Sequence, residues 1–585
     1  MTLRKSPFVA SLGLLLICLY MVVIAQHLYV TNVVNAQFSF GNPQRSIFTA
    51  IHWFNNYPTE FLRWCAIVGI GVIVSMSVYA YTFLNLRINR PVKDMHGSSR
   101  WANRKEIEKQ NLLANEGVII GGLDKGSHGT EYLRHNGGEH LMVVAPTRSG
   151  KGVSIVIPTL LTCRDSAIVT DIKGELWELT SGWRHRHANQ NCYRFDASNS
   201  LSAKFNPLDT IRTGDAQEIG DAQNLATNIV AGDGGGMEGS DGHWKKSAQA
   251  LLAGMIVYAI NKQLAPDETA SLTQVAYFIM PPDSDLNTVL KQAIEETESM
   301  EPQIAEFIKS SFRQHLERTG EEAASVVSTT GNYLSLYRDP IVANNTSSSD
   351  FTVESLANGD FASTLYLVMN PNDKSRLLPV NRLVITVIVR TLTAKLAYRN
   401  NRAISAHDRS LLLLLDELPA LGKLDVITDT LPYMSTYGLK ALLICQDYSQ
   451  LWEKYGRNES ISASCHVRVV FAPNGLETAK AISAMTGTTT VVKQEKAHGT
   501  RIDMLSTKHD RFMETSRPLM TPEECMRLKG LEKEGDVVTA AGEVLIFVAG
   551  QHPIKGKQPL YFQDKYLSAR ADCGAADKVV SMASA

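Results

Sequence analysis

Leu141-Met-Val-Val-Ala145-Pro-Thr-Arg148-Ser149-Gly150-Lys151-Gly152-Val-Ser154 is the stretch on which the fold turns. Its apolar start reads as a buried strand. Val153 to Leu161 begins an apolar helix that Pro158 interrupts early. A strand running through a Gly-Lys loop into a helix is the context of a phosphate-binding loop. Backbone N–H groups of such a loop, and of the helix that follows, point at phosphate oxygens. Lys151 is a compact cation placed to reach the β- and γ-phosphates, and Gly150 lets the backbone approach closely. Ala145, Pro146, Thr147, Arg148, Ser149, Gly150, Lys151, Gly152 and Val153 form the expected nucleotide-binding set. Two positions depart from the general pattern. Ala145 stands at the usual first glycine, and Gly152 stands where a Ser or Thr hydroxyl usually binds magnesium. Ser149 and Ser154 are both possible replacements, and Ser154 is carried forward as the expected metal ligand.

A loop of this kind needs an acidic partner. Leu411 to Leu415 is a continuous leucine run ending in Asp416-Glu417. Ligands of open α/β sheets sit at the carboxyl ends of strands. Asp416 is therefore expected to hold magnesium, directly or through water. Glu417 is expected to orient and deprotonate an attacking water. Leu439 to Cys445 is a further buried strand, followed by Gln446. Gln446 reads either as a polar sensor of the γ-phosphate or as the cap of the next helix. The expected catalytic set is Lys151, Asp416, Glu417 and Gln446.

Other apolar runs surround these: Ala167 to Thr170, Thr364 to Met369 and Val467 to Phe471. Their near-continuous apolar character suits parallel strands covered on both faces, with helical patterns between them. Residues 215–356 instead carry helical periodicity, as at Trp244 to Lys262 and Ser284 to Thr297, with a Gly-rich loop at Asp233 to Gly242. The fold class expected is α/β, with an all-α domain inserted into the nucleotide-binding domain. Its boundaries are 91–214, 215–356 and 357–569, with a frayed tail at 570–585. Thr488 to Ser516, charged and poorly periodic, reads as a mobile surface segment.

The first 90 residues read as a membrane anchor. Ser6 to Val30 and Trp64 to Leu86 are uncharged and apolar, each long enough to cross a hydrocarbon core of about 30 Å. Arg4 and Lys5 precede the first, and Arg87, Arg90 and Lys93 follow the second. Positive charge stays inside, so both termini and the main body are expected in the cytoplasm. Over the 585 residues the net charge is −1, which excludes a globally basic nucleic-acid binder and leaves only local basic groups for that task. The eight cysteines form no CxxC pair and read as reduced thiols rather than a disulfide framework or zinc site.

Together these motifs resemble the TraG/VirD type of type IV secretion coupling protein. His96 to Ala102, the Gly-Lys-Gly form of the loop, Asp171-Ile-Lys173-Gly174-Glu175, Phe205-Asn206-Pro207-Leu208, His243-Trp244, Leu415 to Leu418 and Ile444 to Gln446 occur in the family's order. The resemblance covers most of the chain and implies a RecA-like domain carrying the all-α insertion behind a two-helix transmembrane hairpin. It implies a homo-hexameric ATPase in the bacterial inner membrane, using ATP and Mg2+. Implied partners are DNA, in single-stranded form and without sequence preference, relaxase or effector proteins, channel proteins and secretion ATPases. Some relatives carry an arginine between the acidic strand and the sensor, where the resemblance would place a finger, but Leu418 to Leu439 contains no arginine. Lys440 and Arg468 are the nearby cations. Asp171 and Lys173 serve either the nucleotide and ring interface or a structural turn. The run Arg184-His185-Arg186-His187 is either a phosphate-contacting surface or a solvated helical face. A weakly hydrolysing nucleotide-binding cargo receptor is the alternative function.

Overall fold

All five leucines of Leu411–Leu415 are buried, as a strand covered on both faces requires. In the computed structural model this strand lies inside a twelve-stranded mixed sheet. The structure describes residues 54–88, 94–126, 129–233, 242–263, 269–496, 510–535, 537–576 and 579–580, and a few helical positions between 15 and 51.

The strands of the sheet are, in chain order, β1 (Val118–Asp124), β2 (Thr130–His135), β3 (His140–Val144), β4 (Ser166–Asp171), β5 (Asn191–Phe195), β6 (Ser363–Val368), β7 (Leu411–Leu415), β8 (Leu439–Cys445), β9 (Cys465–Val470), β10 (Glu543–Val548), β11 (Ile554–Lys557) and β12 (Val579–Val580). Their spatial order is β12-β5-β6-β4-β7-β8-β3-β9-β10-β11-β1-β2. The run from β5 to β9 is parallel. The remaining pairs are antiparallel. Parallel neighbours need crossovers, and the helices that make them cover both faces.

Side-chain alternation divides the core in two. Leu411, Leu413 and Leu415 face one cluster, while Leu412 and Leu414 face the other. The first cluster holds the long helix Lys374–Leu392 and nearly all the buried apolar residues between 222 and 357, Ala248 and Ala305 apart. Every regular element among its described residues is a helix, including Glu218–Val230, Gly242–Asn261, Leu272–Ile279, Leu286–Glu296, Pro302–Leu316 and Gly320–Leu334. Its Gly-rich segment, 234–241, lies outside the described residues. The second cluster holds the helix after the phosphate loop and the helix Glu175–Arg186.

Several expectations are corrected. The segment after Lys151 is not a plain α-helix: Gly152–Val156 winds as a π-helix, with Ile157 N–H reaching Gly152 O, before an α-turn at Ile157–Leu160. Pro158, which has no N–H to give, sits at that junction. The tail does not simply fray. The helix Lys565–Ala571 leads into it, and Val579–Val580 closes the sheet edge against Cys192 and Tyr193. Thr488–Lys496 and Asp510–Pro518 form a two-stranded sheet, with β-branched Thr488-Thr-Thr-Val-Val opening its first strand; residues 497–509 lie outside the described residues.

The chain resolves into two compact units, 99–487 with 518–585, and 1–98 with 488–517. The smaller unit contains the helix Pro58–Ile88, which includes the second expected span. Its Pro58–Ala80 segment has a mean hydropathy of 2.0 and is long and apolar enough to cross a membrane. The first expected span, 6–30, lies almost wholly outside the described residues.

Candidate nucleotide-binding site

The register of three adjacent strands brings distant motifs together. Val144 on β3 pairs with Cys445 on β8, and Leu443 on β8 pairs with Leu415 on β7. The chain therefore leaves β3 at Ala145, β8 at Gln446 and β7 at Asp416 along one edge. Ala145 N–H donates to Cys445 O at 2.9 Å, so the loop starts fixed to the neighbouring strand.

The loop turns through two left-handed residues, Arg148 at φ 60° and Gly150 at φ 95°. The φ of 95° at Gly150 disfavours any side chain, and a Cβ there would also press on Leu531 Cδ1 at 2.6 Å. At Gly152 nothing lies within 4 Å of such a Cβ, so packing does not dictate that glycine. Lys151 Nζ donates to Asp416 Oδ1 at 2.6 Å, with both side chains partly exposed. A metal-bound triphosphate carries what would part this pair: anionic oxygens for the lysine and a cation for the aspartate. Glu417 holds the left-handed conformation at φ 71°, a strained geometry for a residue with a side chain. Its carboxylate accepts a hydrogen bond from the Gln446 amide. The helix-cap role belongs to Asp447, whose carboxylate accepts from Ser449 N–H at 2.8 Å. Gln446 is left facing Glu417.

The sequence signature of type IV secretory system conjugative DNA transfer proteins matches residues 100–582. The chain belongs to this family. It is 40% identical over 561 residues to a conjugal transfer protein TraG of Escherichia coli, covering 91% of this chain and 87% of that one. It is 28% identical over 538 residues to the protein VirD4 of Agrobacterium fabrum (strain C58 / ATCC 33970), covering 90% and 73%. Among solved structures, the bacterial conjugative coupling protein TrwBdeltaN70 with sulphate superposes with a TM-score of 0.56 at 17% identity, covering 81% of this chain and 96% of that one. The plasmid coupling protein TrwB in complex with ADP and Mg2+ gives a TM-score of 0.54 at 17% identity, with 79% and 94% covered. At that identity the likeness is one of fold: an α/β P-loop NTPase fold.

Within this coupling protein, Ser154 is fully buried beneath the loop, and its hydroxyl donates to Gly150 O at 2.7 Å. A residue one turn into the helix points under the loop, whereas Ser149 sits on it, donating to Pro146 O at 2.6 Å. Asp171 is turned inward and accepts from Trp177 N–H at 2.9 Å, which is the structural-turn reading. Burial pushes its carboxyl up to about 6, against the backbone donors that lower it. Lys440 is buried near the start of β8, at the far end from Gln446. Arg468 donates to Ser462 O at 3.1 Å. Arg184 is neither solvated nor phosphate-facing: it is fully buried, donating to the carbonyls of Leu160, Cys163 and Asp165 and to Thr364 Oγ1 at 2.7–2.9 Å.

The residue that sequence reading missed is Gln558. It is buried, 409 positions from the loop, and its amide donates to Ser149 O at 3.2 Å. Its Oε1 is buried without a hydrogen-bond partner among the described residues. No local motif marks it, because its role exists only once β11 has been placed in the sheet.

Proposed function

We propose that this chain is the ATPase that couples cargo to a type IV secretion channel, anchored in the bacterial inner membrane. One observation carries the reading. Lys151, Asp416, Glu417 and Gln446, drawn from three strands far apart in sequence, converge at one edge of a parallel sheet as two hydrogen-bonded pairs. ATP would lie along Ala145–Val153. Mg2+, held by Asp416 with the Ser149 hydroxyl or water, would neutralise phosphate charge. Lys151 would move from Asp416 to the phosphates. Glu417 would take the proton of the attacking water, with Gln446 holding its carboxylate in place. The TrwB complex with ADP and Mg2+, and the TraG and VirD4 relatives, support this reading. So does the apolar helix Pro58–Ile88, which would be one of two spans keeping both termini in the cytoplasm. Residues 215–356 would form the cargo-facing domain, in a homo-hexamer that receives DNA with relaxase or effector proteins and works beside the channel's own ATPases.

The missing hydroxyl at Gly152 favours a second reading, a receptor that binds nucleotide and hardly hydrolyses it. Cellular transfer with Glu417→Gln separates the two. The motor reading expects transfer to stop while the protein still binds nucleotide. Transfer at the parental rate would establish the receptor instead.

A further inference from the structure

Between the helix Lys374–Leu392 and β7 the chain makes a small excursion, Leu396-Ala-Tyr-Arg399-Asn-Asn-Arg402-Ala-Ile-Ser405. Leu396–Arg399 and Arg402–Ser405 pair antiparallel, with Tyr398 opposite Ala403 and Arg399 opposite Arg402. The turn residues Asn400 and Asn401 are left-handed, at φ 52° and 58°. That two-residue turn matches the twist of the strands and makes a stiff hairpin. Its base is tied down: Ser405 Oγ donates to Tyr437 O at 2.9 Å, and the His407 ring nitrogen bonds Leu392 O at 2.7 Å. The tip stands in solvent. Tyr398 is 78% exposed, and Arg399 and Arg402 are exposed beside it.

This tip is built against its own stability. Directly opposed like charges in a ladder repel. Among the described residues neither guanidinium pairs with a carboxylate. From Lys395 to Ala406 there are three cations and no acid. Alternation places Arg399, Arg402 and Ile404 on one face and Tyr398 on the other. Two guanidiniums held side by side suit successive phosphates, and an exposed aromatic ring suits an unpaired base. A second copy of the chain, at net charge −1, offers no comparable attraction.

We propose that the Leu396–Ser405 hairpin is a contact for single-stranded nucleic acid, with Arg399 and Arg402 on the phosphate backbone and Tyr398 against a base. This rests on the DNA-cargo reading of the chain. Six residues after the hairpin the chain enters β7, at whose far end Asp416 and Glu417 follow.

The test is fluorescence anisotropy with the full-length protein in detergent and a labelled mixed-sequence oligonucleotide, single-stranded or duplex, over a series of salt concentrations. The double variant Arg399→Ala, Arg402→Ala is expected to bind the single strand about ten-fold more weakly. Its log Kd against log salt slope is expected to flatten by about 1.4, for two lost phosphate contacts at roughly 0.7 each. Arg399→Lys with Arg402→Lys should keep most of the slope. Tyr398→Ala should weaken single-strand binding more than duplex binding. ATP turnover without DNA should be unchanged in all three. An unchanged slope and affinity in the double alanine variant overturns the hairpin assignment. So does a change of sedimentation with DNA binding intact, which would make the tip a protein–protein contact. If the parent protein binds no oligonucleotide, the cargo reading falls and the hairpin assignment with it.

Discussion

Gln558 reaches the phosphate loop from the opposite end of the chain, and its amide fixes the Ser149 carbonyl on the side away from Asp416's strand. A carbonyl turned toward a phosphate would repel it, so holding this one back favours the N–H groups as the exposed surface. Gln558→Met keeps the volume and loses the bond. At about 1 kcal/mol for a hydrogen bond, ADP affinity is expected to fall roughly five- to ten-fold, measured by titration calorimetry. Unchanged affinity would show that the loop holds its shape without this contact. Asp171 gives a prediction in pH. Its carboxyl is pushed up to about 6 by burial, above the value near 4 of an unfolded chain. The folded protein thus holds the proton more tightly than the unfolded one. The stability contributed by Asp171 is full below pH 4 and is lost as pH rises through 6. In urea unfolding from pH 4 to pH 7, Asp171→Asn should lack this component, roughly 2–3 kcal/mol. Parallel pH profiles for parent and variant would contradict the assignment. At this scale the sequence displayed Lys151, Asp416 and Glu417, because each follows an apolar run at a strand's end. It hid Gln558, because that contact with Ser149 O exists only once a strand far along the chain has been placed in the sheet.

Strands buried on both faces were legible as apolar runs, which is why β3, β4, β6, β7, β8 and β9 were found from their residues. Asn191-Cys-Tyr-Arg-Phe195 was not, since its two polar residues break the run although the strand lies between β12 and β6. In the antiparallel part beyond β9, β2 and β11 are half-buried with a weak alternation, whereas β1 and β10 are almost wholly buried apolar runs that were overlooked. The charged segment from Thr488 shows the same limit, for a two-stranded ladder needs no apolar face of its own to form in a larger protein. Arg184 acts at the level of elements. Its fork ties carbonyls at the end of the phosphate-loop helix and before β4 to Thr364 on β6. Arg184→Met would leave two buried carbonyls and one partly buried one without this donor, at a cost of about 3 kcal/mol or more in urea unfolding. Arg184→Lys should rescue little, because an ammonium cannot fork in a plane. Full rescue by lysine would make the side chain a simple charge rather than a clamp.

At the scale of the whole molecule, the motor proposed above requires both a nucleotide site and attachment to a membrane. The exposed Leu62, Ile67, Ile70, Ile73, Val74 and Met76 along Pro58–Ile88 would be untenable in water for a helix of this length, so the full chain is expected to stay with membranes through alkaline carbonate washing. Release into the supernatant would remove the anchor from the account. The central claim is that the edge formed by Lys151, Asp416, Glu417 and Gln446 hydrolyses ATP. It is tested most directly by steady-state ATP turnover of the full-length protein in detergent, with and without single-stranded DNA, beside Lys151→Ala and Glu417→Gln. DNA-stimulated turnover is expected, falling at least ~100-fold in both variants, with Glu417→Gln still binding ATP. Turnover that persists in Glu417→Gln would contradict it.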